Sequence, residues 1–171
     1  MPTFSLYYPS LPGHRNLWKE PAAAILDAKG MFKPTDPASG ELVFGSEEAR
    51  RKNEKMAAQM WDLNLAFHRE HPRYLAATGA AVFGSMPGIS MHTELELLVR
   101  LGLQPREALA AATGNYAEQF GWRELGLVSP GRRADLLVLD GDPTVDIHNT
   151  TRIRMVMLQG DILDREALLR R

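Results

Sequence analysis

PGISMHTELELLVRLGLQPREALAAATGNYAEQFG, Pro87 to Gly121, sets the character of this chain. Thr93 to Leu101 has the spacing of an amphipathic helix, and Gly102 stops it. A second helix opens at Pro105, a residue suited to the first helical position, with Glu107 just behind it, and runs to about Thr113. Asn115 is placed to cap one more short helical turn, closed by Gly121.

Downstream, from Leu125, the texture changes. Ala134 to Leu139 and Ile153 to Leu158 are β-rich runs, separated by turns at Gly141-Asp142-Pro143 and His148-Asn149. Upstream, Leu75 to Phe83 is an apolar run bounded by Pro72 and Gly84, the pattern of a buried strand. Ser46 caps the clearest helix, with Ala49, Met56, Met60, Leu63 and Phe67 on one face and Pro72 beyond its end. Residues 9–45 read as a long loop punctuated by prolines, with one short helix from Pro21 to Leu26 stopped by Gly30. Pro2 to Tyr8 is rich in β-favouring side chains and predicts a short buried strand. The order is strand, helix, strand, helices, then a β tail, with no internal repeat.

The 171 residues are 44% hydrophobic and 24% charged, enough for one domain with a core. Twenty Lys and Arg against 21 Asp and Glu leave no field of one sign, which argues against nucleic acid or an anionic membrane as partner. Cysteine is absent, so disulfides, thiolate metal sites and cysteine nucleophiles are excluded together. No apolar run approaches the roughly 20 residues that span a bilayer. Met1-Pro2-Thr3 begins nothing like a secretory leader, and the reading leans to the cytoplasm.

Three linked motifs, Pro87 to Val99, Leu101 to Gly121 and LGLVSPGRRADLLVLDGDPTVDI from Leu125 to Ile147, follow one another without a gap. Together they resemble the C-terminal part of the amidohydrolase superfamily, in its imidazolonepropionase-like and prolidase-like branch. The resemblance is dense over 72–160 and thinner over 1–71. It implies an α/β fold: a partial (β/α)8 barrel over 1–124, comprising the last two strands and their helices, then strands of a small β-sandwich over 125–171. A complete barrel takes about 250 residues. The earlier strands, and the His-X-His pair and other metal ligands they carry in the family, have no counterpart in this sequence.

The resemblance also implies a divalent metal, typically zinc, and an Asp at the end of the last barrel strand that binds it and takes a proton from water. The family's Gly-Thr-Asp is matched here by Ala77-Thr78-Gly79, and no Asp lies between Asp62 and Asp135. Glycine supplies neither ligand nor base, so no catalytic residue and no metal ligand is assigned to this chain. His92 matches the loop after the final strand and is a candidate substrate contact; otherwise it orders that loop by hydrogen bonding. Tyr7, with Tyr8 and Trp18, borders the long loop and is a second candidate, although core packing accounts for these rings equally well. His68 and His71 share a spacing that can hold a metal, but a solvated helix end is the stronger reading, and His14 and His148 read as surface residues. Glu94 and Glu96, two apart on a helix, do not face each other, and Glu94 reads as a helix-dipole residue. Ser90 lacks a nucleophile elbow and reads as a helix cap.

Three functions fit these residues. The chain is part of a hydrolase of C–N bonds, amide or cyclic amide, and inactive alone; or it is a non-catalytic module that pairs with itself or a partner; or it is one half of a two-chain enzyme, completed by the front of the barrel. Each leaves strand edges and an apolar face to be covered.

Overall fold

The computed structural model describes residues 3–26, 35–80 and 84–169. Helix α1, Glu47–His68, begins at Ser46, whose hydroxyl accepts the Ala49 amide, with Glu47 and Glu48 in its first turn. Helix α2, Ile89–Leu101, is the centre of the molecule. Leu97 and Leu98 are essentially inaccessible, and Leu95 and Leu101 join them in the core with Phe4, Tyr8 and Ala108. Gly102 ends α2 at φ 130°, and a Cβ there would sit 2.8 Å from the His68 ring, so both backbone and space require glycine. Helix α3, Pro105–Ala111, follows, its Glu107 carboxylate accepting the Gln104 amide at 2.7 Å. Helix α4, Gly114–Phe120, closes on Gly121 in the left-handed region.

The β tail forms one antiparallel sheet in the order β1-β2-β3: Leu136–Leu139, Ile153–Leu158 and Asp161–Ile162. Leu137 faces Val156, and a bulge falls between Val138 and Leu139. Gln159 and Gly160, both at positive φ, make the two-residue turn between β2 and β3. Helix α5, Arg165–Leu169, completes the described chain.

Two expectations are corrected. The N-terminal segment is no strand: Phe4–Leu6 and Tyr8–Ser10 are 3-10 turns. Nor does the run after Pro72 pair as a strand in its described part, 72–80. A parallel strand needs a neighbour to take its amides and carbonyls. Here the Ala76 amide donates to the Ala111 carbonyl, Tyr116 Oη donates to the Ala76 carbonyl, and Asn115 Nδ2 donates to the Tyr74 carbonyl. The described segment is satisfied by α3 and α4 instead of by a sheet, and the described residues form no closed barrel. Asn115 accordingly lies inside α4 rather than capping it, and Ser90 lies inside α2 behind Gly88, its hydroxyl accepting the Met86 amide. The short helix in the long loop is a 3-10 turn, Pro21–Ile25; its expected stop, Gly30, lies outside the described residues.

The face of α1 expected to be buried is the more open one. Met56, Leu63 and Phe67 are all exposed, Phe67 by 61%, while the helix packs on the core through Trp61 and Leu65 and buries Ala57. Trp61 stacks at a tilt on Phe4, ring centres 5.5 Å apart, with the Arg100 guanidinium 5.4 Å over its ring. Leu127, Val128 and Leu137 are also exposed, Leu137 within β1, the strand at one edge of the sheet.

Candidate functional site

The segment Tyr74 to Gly79 and the start of α2 frame the place where the sequence expects chemistry. Ser5 Oγ and Ser85 Oγ both donate to the Thr78 carbonyl, at 2.9 and 3.0 Å, and fix the end of the segment. Gly79 follows at φ 61°, exposed. Among the described residues no three His, Cys, Asp or Glu side chains converge as a metal site would require. The described donor set therefore does not fit the divalent metal that the resemblance implies.

Directly behind this segment lies a carboxyl that sequence reasoning misplaced. Glu94 sits in the second turn of α2, completely buried, and Oε2 accepts the Ser5 amide at 2.9 Å. Its Oε1, and the neighbouring buried Thr93 hydroxyl, have no hydrogen-bond partner among the described residues. Burial pushes the acid up to about 8, with hydrogen bonding from Ser5 pulling the other way. The reading of Glu94 as a dipole residue is corrected: it is a buried acid held well above the ordinary carboxylate range. No local signal marks it, because its burial depends on the N-terminal turn folding over α2.

His92 stands on α2 against the β tail. The Thr150 hydroxyl donates to the Ile147 carbonyl at 2.9 Å, so its oxygen accepts from His92 Nδ1, 3.1 Å away. The imidazole hydrogen is thereby placed on Nδ1, and Nε2 keeps its lone pair. Burial lowers the His92 pKa, and nearby Arg15 opposes protonation while Glu20 favours it. Tyr7 lies elsewhere, lining a cleft with Phe4, Met60, Asn64, Phe67 and Tyr74, so the two candidate contacts are not brought together. His68 Nδ1 meets Tyr74 Oη at 3.4 Å, His14 is half-buried near the surface beside Tyr8, and His148 is exposed and bound to Asp146. Asp142 shapes its turn by accepting from Thr144.

Comparison with known proteins places the whole arrangement. The sequence profile described as the amidohydrolase family matches residues 18–163. An imidazolonepropionase of Deinococcus deserti is 41% identical over 96 residues, covering 52% of this chain and 24% of its own length. An adenine deaminase of Oceanobacillus iheyensis is 46% identical over 65 residues, 37% of this chain and 11% of its own. Among solved structures, a prolidase candidate from Bifidobacterium longum superimposes with a TM-score of 0.61 at 30% identity, over 71% of this chain and 30% of that one. The chain spans about a quarter or less of the length of these two sequence relatives. On the match to most of its length, the chain belongs to the amidohydrolase family.

Proposed function

We propose that this chain forms the C-terminal section of a metal-dependent hydrolase acting on C–N bonds of amides or cyclic amides, and that by itself it is not catalytic. One observation carries the second part. The segment held by Ser5 and Ser85 ends in Gly79, at the position where the family resemblance puts the Asp that holds metal and accepts a proton. Its relatives are hydrolases of C–N bonds, which supports the first part. What the chain supplies on this reading is framework: α2 with its buried Glu94, the segment from Tyr74 to Thr78, and the sheet against His92.

The test is metal content and turnover. The purified chain, equilibrated with zinc and then dialysed, is expected to retain no stoichiometric metal and to hydrolyse neither a dipeptide nor a cyclic amide panel. Gly79→Asp alone is expected to change neither result, because one carboxylate does not make a zinc site. Stoichiometric zinc in the unaltered chain, with turnover of any member of the panel, would overturn the proposal.

A second reading is favoured by the exposed apolar residues of α1 and the open edge of β1. On that reading the chain engages a second copy, or the front of a barrel, through those surfaces.

A further inference from the structure

A cleft of about 380 Å3 separates the start of α2 from the sheet, and nothing in the hydrolase reading uses it. Its walls are largely apolar: Pro21 and Ala22 from the N-terminal turns, Ile89 from α2, and Ile153, Val156 and Leu163 from the β tail. Five polar side chains line it from different elements: Arg15, Glu20, His92, Thr151 and Arg165, of which Arg15 and Glu20 are paired with each other. A concave apolar site of this size with a few convergent polar groups is the usual form of a small-molecule site.

The polar groups define the ligand. Arg15 is already engaged, Nη1 with Glu20 at 3.2 Å and Nη2 with Glu96 at 3.5 Å. Arg165 is half-buried and donates Nη1 to the Ile153 carbonyl, a neutral acceptor. A guanidinium with spare donors in a partly dry cleft favours a carboxylate in forked geometry. His92 presents an acceptor, since its hydrogen is committed to Thr150 through Nδ1. The ligand therefore carries a hydrogen-bond donor near its carboxylate, and an apolar body for the Ile153 and Val156 wall.

We propose that this cleft binds a small branched-chain monocarboxylate bearing a hydroxyl or amino group on the adjacent carbon, its carboxylate on Arg165 and its donor on His92 Nε2. The site lies wholly within this chain, and its test does not depend on the hydrolase reading.

The probe is 2-hydroxy-4-methylpentanoate, titrated calorimetrically into the full chain and compared with 4-methylpentanoate and with the neutral 2-hydroxy-4-methylpentanamide. Saturable binding by the hydroxy acid is expected, at least about tenfold weaker without the 2-hydroxyl and weaker still for the amide. Arg165→Met is expected to weaken the hydroxy acid by about tenfold or more, Arg165→Lys by less, and Arg51→Met, on the exposed face of α1, not at all. Should Arg165→Met lose its circular dichroism signature, Arg165→Gln takes its place, with a several-fold weakening expected. No saturation by about 10 mM, an amide that binds as tightly as the acid, or unchanged affinity in the folded arginine variants would each overturn the proposal.

Discussion

Glu94 is a carboxyl whose stability effect has a definite sign. Its folded-state pKa of about 8 lies above the ordinary 4.5, so between those values the folded chain holds a proton that the unfolded chain releases. The stabilisation associated with this proton is fully present below about pH 4.5 and is lost as pH rises through about 8. Glu94→Gln keeps an oxygen for the Ser5 amide and removes the titration. Urea midpoints measured from pH 5 to pH 9 are expected to fall for the unaltered chain relative to the glutamine variant, by on the order of a few kcal/mol in total. Parallel pH profiles would show that the buried acid does not titrate with folding. The same measurement at the Ser5 turn, by amide hydrogen exchange, is expected to show opening of Phe4 to Leu6 above pH 8, because an ionised Glu94 must seek water.

At the scale of elements, α1 and α2 make opposite predictions from similar sequences. Leu98→Ala removes a side chain with no solvent exposure at the centre of the core and is expected to cost about 2–5 kcal/mol. Phe67→Ala, on the open face of α1, is expected to stay within about 0.5 kcal/mol, although Phe carries more apolar area. Thermal melts of the two variants at dilutions where the chain is monomeric decide this, and a large loss at Phe67 there would mean that the face is covered within a single chain. The helices were legible because their signals are local: Ser46 caps, Pro105 opens, and Gly102 and Gly121 close. Which face of α1 is buried was not legible, since its periodicity shows an apolar stripe but not whether anything lies against it. Strands are less legible for a related reason. Pro2 to Tyr8 and Leu75 to Phe83 have the composition of strands, but a strand exists only with a partner for its backbone, and α3 and α4 take that role for the described part of the second. The β tail contains its own partners within about 25 residues, and Leu136–Leu139 and Ile153–Leu158 formed where expected. The site divides the same way: the expectation at Gly79 rests on a local motif, whereas the burial of Glu94 and the bond from His92 to Thr150, 58 residues away, belong to tertiary structure.

For the whole molecule, the two uncovered surfaces compete as sites of association. The β1 edge is four residues long and offers a short ladder, and two-stranded pairing of that length is marginal in water. The α1 stripe extends from Met56 to Phe67 on a 22-residue helix and presents Met56, Leu63 and Phe67 in one row. Two such stripes can pack as antiparallel helices with the same residues on both sides, which is the geometry of a closed two-fold dimer. Association through α1 is therefore the expected outcome when no other polypeptide covers it. Light scattering behind a sizing column is expected to give a mass above 19.1 kDa that rises with concentration. Leu63→Glu together with Phe67→Glu is expected to return the monomer mass, because each charge would be desolvated in the paired stripes. Leu137→Lys, beside the β1 edge, is expected to leave the larger mass in place. The reverse result, monomer with Leu137→Lys and dimer with the α1 pair, would move the interface to the sheet. A monomer at every concentration that also fails to bind an apolar dye would show that neither surface is open, and would remove the reading of this chain as a partner-seeking module.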